Sequence, residues 1–169
     1  EARIQEISMP QRYIDTTLFD LFKVGPGPSS SHTIGPMKAG HHFAETCAAL
    51  PRDLLVRAVR FRVRLYGSLS ATGTGHGTDA AVVAGLLGTA PESCPAGLLQ
   101  ELMDDPHTRR KRSLGDGQVS VCVDDVSHDA IIHDFPYSNT LVADLLDAED
   151  KVLHSQEYYS VGGGFIQWK

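Results

Sequence analysis

Val59-Arg60-Phe61-Arg62-Val63-Arg64-Leu65 alternates apolar and basic residues without interruption. A period of two marks a strand with one face on a core and the other toward water, so Val59, Phe61, Val63 and Leu65 are expected inward and the arginines outward, solvated or salt-bridged. Pro51-Arg52-Asp53 before it and Tyr66-Gly67-Ser68 after it place this strand within residues 54–65. The same period recurs at residues 118–124, 141–145 and 151–159, with Asp147-Ala148-Glu149-Asp150 as a hairpin turn between the last two. Helical spacing occurs in residues 17–24 (Leu18, Leu21, Phe22, Val24), after Pro36 (Met37, Phe43, Cys47, Leu50) and after Asp79 (Ala80, Val83, Leu86, Leu87). Helices interspersed with hairpin-linked strands predict an α+β fold, a mostly antiparallel sheet with helices packed on it.

On each side of the first strand stands a polar segment rich in glycine. Before it runs Gly25-Pro26-Gly27-Pro28-Ser29-Ser30-Ser31-His32-Thr33-Ile34-Gly35-Pro36, and after it Ala71-Thr72-Gly73-Thr74-Gly75-His76-Gly77-Thr78-Asp79. Hydroxyl-bearing residues compete with regular backbone hydrogen bonding, so both segments read as loops, each leading into a helix N-terminus. Free N–H groups and a helix dipole beside hydroxyls suit a carboxylate or phosphate. His32 and His76 occupy matching places in the two segments, where one neutral imidazole could take a proton while Ser29, Ser30, Ser31, Thr33 and Thr78 hold an anionic group. Gly-x-Ser-x-Gly, Walker and Rossmann spacings are missing, which speaks against a serine hydrolase and against nucleotide binding. A zinc site from His41, His42 and His76 is poorly set up, because adjacent helical residues point about 100° apart.

The chain has 169 residues, 41% of them hydrophobic, enough for one domain with a core. A formal net charge of −6 disfavours nucleic acid as a partner, and the basic run His107-Thr108-Arg109-Arg110-Lys111-Arg112 reads as a solvated surface turn. No stretch approaches the roughly 20 apolar residues of a membrane span, and residues 1–10 lack the apolar centre of a secretion signal, so a cytoplasmic setting away from membranes is expected. Cys47, Cys94 and Cys122 form no C-x-x-C pair, so neither a disulfide framework nor a metal knuckle is expected. Residues 1–14 read as an irregular extension, and the end of the chain, after Gly162-Gly163-Gly164, as a cut linker.

Five segments taken together carry a family resemblance. Leu18-Phe19-Asp20-Leu21-Phe22-Lys23-Val24-Gly25, Gly27-Pro28-Ser29-Ser30-Ser31-His32-Thr33-Ile34-Gly35-Pro36-Met37, Tyr66-Gly67-Ser68-Leu69, Gly75-His76-Gly77-Thr78-Asp79 and Tyr158-Tyr159-Ser160-Val161-Gly162-Gly163-Gly164-Phe165 resemble, in this order, the β portion of iron-sulfur-dependent bacterial L-serine dehydratase. The resemblance implies a β domain over residues 15–166, similar to the allosteric substrate-binding domain of phosphoglycerate dehydrogenase. It implies conversion of L-serine to pyruvate and ammonia with a [4Fe-4S] cluster whose cysteines belong to an α portion, fused or separate, and a homodimer. This chain alone would then hold no cluster and no activity. By the same resemblance His76 matches the general base for the α-proton, and His32 with Ser29, Ser30 and Ser31 matches the loop facing the substrate. The family's His-x-Asn stands here as Tyr137-Ser138-Asn139, which keeps Asn139 as a substrate contact but replaces a titrating imidazole by a phenol. A stand-alone regulatory domain binding serine or another small carboxylate is the rival expectation.

Overall fold

A computed structural model describes residues 25–169; the expected helix at 17–24 and the extension at 1–14 lie outside them. The order of elements is α1 (Gly35–Ala48), α2 (Arg52–Leu55), β1 (Ala58–Gly67), α3 (Ser68–His76), α4 (Thr78–Leu86), α5 (Leu98–Asp104), β2 (Arg110–Leu114), β3 (Gly117–Val121), β4 (Val126–His128), β5 (Asn139–Asp147), β6 (Val152–Gly162) and β7 (Phe165–Trp168). The sheet runs β2-β3-β1-β5-β6-β7, with β4 beside the second half of β1. Only the β1–β3 and β1–β4 pairings are parallel, so the α+β fold with a mostly antiparallel sheet is what the chain adopts.

The alternating strand is the middle of this sheet, although it starts later than the sequence suggests, because residues 52–55 close a helical turn first. Phe61, Val63 and Leu65 are fully buried against the helices. Val59 breaks the expected pattern: a register shift against β5 between Ala58 and Arg60 turns Ala58 inward and leaves Val59 exposed. On the opposite face Arg62 and Arg64 both reach the buried carboxylate of Asp144 on β5, and Arg60 reaches Asp125 and Asp150.

Helix α4 is buried at all nine residues, surrounded by α1, α3 and α5, which explains why it is apolar all round rather than amphipathic. Its contact with α1 is backbone to backbone. A Cβ on Gly85 would lie 2.1 Å from the Met37 carbonyl oxygen, and one on Gly40 2.3 Å from that of Val82. The two helices that carry the N-terminal halves of the site are thereby locked together.

Both polar segments are more helical than the sequence suggests. Ser30–Ile34 forms a single wide turn, closed by the Gly35 N–H on the Ser30 carbonyl, that runs straight into α1. The segment after β1 is not a loop but helix α3, which ends at His76 where Gly77 takes a left-handed conformation, φ 67°. The end of the basic run enters edge strand β2: Arg110 pairs with Glu101 of α5 and Arg112 with Glu45 of α1 while also donating to the Leu86 carbonyl, so acids on helices take up their charge. The glycines near the end form a turn, since Gly163 and Gly164, both with positive φ, carry β6 into β7.

Candidate functional site

The wide turn before α1 and the C-terminal end of α3 meet, bringing His32 and His76 to a ring-centroid distance of 5.0 Å. Ser29 caps the turn, its Oγ accepting the His32 N–H at 3.2 Å while its carbonyl accepts the Thr33 N–H at 2.9 Å. Two threonines cross-brace the segments. Thr33 Oγ1 donates to the His76 carbonyl at 3.0 Å, and Thr78 Oγ1 donates to the His32 carbonyl at 2.6 Å. Both threonines are fully buried. Their hydroxyl protons therefore hold the histidine backbones, which is a different task from the ligand contact expected of them.

The two imidazoles are held in different ways. Both nitrogens of His32 face hydroxyls, Nδ1 at 2.9 Å from Ser31 Oγ and Nε2 at 3.1 Å from Ser68 Oγ. Burial, with His76 nearby adding to it and the Ser68 contact opposing it, lowers its pKa below 6.5, so His32 is neutral near pH 7. His76 Nδ1 stands 2.9 Å from the Thr72 carbonyl one helical turn back. A carbonyl can only accept, so Nδ1 carries the proton and Nε2 keeps its lone pair. Among the described residues nothing is hydrogen-bonded to that Nε2. His76 also lines a cleft of about 770 Å³ between Gly25–Pro28 and the segment from Pro91 to Met103.

Strand β6 closes the other side. Ser160 Oγ donates to the Ser31 carbonyl at 2.7 Å, and a Cβ on Gly35 would fall 2.2 Å from that Oγ, so only glycine fits there. Asn139 donates weakly to the Ser160 carbonyl at 3.4 Å, while its Oδ1 is buried with no hydrogen-bond partner. Tyr137 is not brought to the histidine pair: its hydroxyl donates to Gln167 and its ring lies 5.0 Å from that of Tyr159. Ser30 is exposed at the rim. Ser68, Thr72 and Ser160 were not among the expected site residues. Ser68 sits in a Tyr-Gly-Ser-Leu motif and Ser160 is a hydroxyl amid apolar strand residues, so both carried a signal; Thr72 acts through its carbonyl, which no side-chain pattern reveals.

The residues present do not fit an iron-sulfur cluster. Cys47 is fully buried in the core, its thiol pushed up to about 12 by burial, Cys122 is buried beside Asp125, and Cys94 stands apart. Among the described residues no three His, Cys, Asp or Glu side chains converge as metal ligands. No helix among them is long and apolar enough to cross a membrane.

Comparison with known proteins agrees with this arrangement of motifs. The chain is 41% identical over 156 residues to L-serine dehydratase 2 of Escherichia coli (strain K12), covering 89% of this chain and 33% of that protein. It is 40% identical over 155 residues to the L-serine dehydratase of Streptomyces coelicolor and 35% identical over 153 residues to that of Helicobacter pylori strain 26695, with similar coverage. The chain thus spans about a third of the length of the curated relatives it matches. The model of one family, serine dehydratase beta chain, matches residues 17–169, and the chain belongs to that family.

Proposed function

We propose that this chain is the β portion of an L-serine dehydratase that eliminates water from L-serine and releases pyruvate and ammonia, with His76 as the base. The observation that carries the reading is the fixed tautomer of His76, a residue that lines a cleft, whose Nδ1 is occupied by the Thr72 carbonyl and whose Nε2 keeps an unpartnered lone pair. A base for a weakly acidic α-proton needs such a positioned lone pair. Nε2 takes the α-proton, the C–H electron pair forms the Cα–Cβ double bond, and the Cβ–O bond breaks to release hydroxide, which a proton from solvent converts to water. The aminoacrylate takes a proton at Cβ to become an imine, and water hydrolyses it to pyruvate and ammonia.

Neutral His32 suits this task, since a second cation 5.0 Å away would hinder protonation of His76. Ser29, Ser30 and Ser31 are the donors for the substrate carboxylate, and the buried Asn139 Oδ1 is an acceptor for its ammonium. Polarisation of the departing hydroxyl is assigned by the resemblance to a [4Fe-4S] cluster in the α portion. The same reading includes a cytoplasmic homodimer.

The test is pyruvate formation by this chain joined anaerobically to its α portion, where His76→Asn should lower turnover by about 10²–10⁴-fold with the fold retained. Turnover within threefold of wild type overturns the role of His76. Calorimetric binding of serine by the isolated chain without turnover in any assembly would instead favour a carboxylate-sensing domain.

A further inference from the structure

Helix α3 carries His76 and is weak in its own sequence, although Thr33 holds its last carbonyl and His32 its first residue. Its sequence Ser-Leu-Ser-Ala-Thr-Gly-Thr-Gly-His places two glycines in the second half, each costing about 1 kcal/mol relative to alanine, and only Leu69 and Gly73 are buried. An unsupported helix of this composition would fray toward His76. A side chain from elsewhere in the fold grips it there.

That side chain is His128, the last residue of β4. Its Nδ1 lies 3.0 Å from the Ser70 carbonyl and its Nε2 3.0 Å and 3.1 Å from the two carboxylate oxygens of Asp79, in the first turn of α4. The ring also rests against Gly73, where an added Cβ would approach Cε1 to 3.3 Å, and Nε2 stands 3.4 Å from Thr74 Oγ1. The contact is reinforced next door, where Ser70 Oγ donates to the Asp129 carbonyl at 2.7 Å. Asp79 is 7% exposed, too buried to leave its charge unpaired.

We propose that His128 and Asp79 form a clip that positions α3, and through it His76, with His128 as a positioning residue whose protonation closes the clip. Both ring nitrogens face acceptors, a carbonyl and a carboxylate, so only the imidazolium satisfies both. In the neutral ring one nitrogen presents a lone pair to an acceptor, and the Thr74 hydroxyl becomes the substitute donor to Nε2. The other groups around the ring do not compete. Leu65, its register partner on β1, is apolar, and the Asp129 carboxylate is engaged by Ser127 and Tyr66. Burial works against the charged form, yet the Ser70 carbonyl and Asp79 outweigh it and raise the pKa above 6.5. The grip is therefore complete below about pH 6.5 and is lost as pH rises through the raised value.

The consequence for catalysis rests on His76 being the base; the coupling itself does not, and it is read without turnover. The experiment follows the His76 Cε1–H resonance and the exchange of the Gly73, Thr74 and Gly75 amides in this chain by NMR as pH is raised. In wild type the His76 resonance should show an inflection coincident with the titration of His128, and the α3 amides, corrected for intrinsic rates, should exchange about tenfold faster above it. His128→Gln should remove the inflection and give the fast exchange at every pH, and Asp79→Asn should shift the inflection to lower pH. Exchange within twofold of wild type in His128→Gln below the His128 titration, or a wild-type His76 resonance with no inflection at that titration, overturns the clip. Should both variants unfold, the wild-type pH series decides alone.

Discussion

The two polar regions of this molecule, the arginine face of the sheet and the histidine pair at the helix ends, differ in how they are satisfied. On the sheet, Arg62, Arg64 and Ser155 converge on Asp144, whose side chain is 1% exposed, while Arg60 and Arg109 share Asp125. Among the buried polar atoms of these residues only Arg64 Nε lacks a partner. Charge there closes on itself and holds strands together. Around His32 and His76 the two threonine braces and the His76 Nδ1 contact instead end on backbone carbonyls and His32 sits between two serine hydroxyls, fixing position while leaving His76 Nε2 and Asn139 Oδ1 open. Polar groups that are held but not exhausted are the ones available to a ligand.

The largest way to sharpen this contrast is to break the closed network. Asp144→Ala leaves two guanidinium groups without their shared carboxylate, and about 3 kcal/mol of stability should be lost, the low end for a broken buried pair because the arginine side chains keep a third of their surface in water. Chemical denaturation measures it, and the His32 and His76 resonances should stay in place below the transition. A smaller effect is expected at the open site. Gly77 needs φ 67° and has nothing within 4 Å, so Gly77→Ala should cost about 1 kcal/mol from backbone strain alone. Steric failure, read as a loss several times larger, would mean that the end of α3 is packed more tightly than described.

The smallest effect is on pH dependence. The folded chain resists protonation of His32, held low by burial and His76, whereas the unfolded chain protonates it near 6.5. Stability from this group is thus present above that value and declines as pH falls toward the lowered one. His32→Gln should flatten the acid-side fall in melting temperature between about pH 7 and 5, while the opposite slope from His128 remains. An unchanged difference between variant and wild type across that range would show that His32 is not held neutral.

The central strand was legible because it obeys a period of two at Phe61-Arg62-Val63-Arg64-Leu65, where burial agrees residue by residue, whereas β5 is buried on both faces. Val59 and β2 were not: a bulge is set by the pairing partner, and a basic run becomes a strand only when Glu101 and the Leu86 carbonyl stand ready to receive it. The pairing of His32 with His76 was legible from matched hydroxyl-rich segments. Their helical form was not, since local propensity at Gly73 and Gly75 argues for a loop and tertiary braces from Thr33, Thr78 and His128 override it. Tyr137 shows the limit of reading a site from motif order alone, because its hydroxyl is directed by Gln167 on β7.

The measurement closest to the central claim is the nitrogen-15 spectrum of His76 in this chain at neutral pH. A protonated Nδ1 and an unprotonated Nε2 are predicted by the Thr72 carbonyl at 2.9 Å. The reverse tautomer, with the proton on Nε2, would contradict the account, because the nitrogen left with a lone pair would then face the helix instead of the cleft.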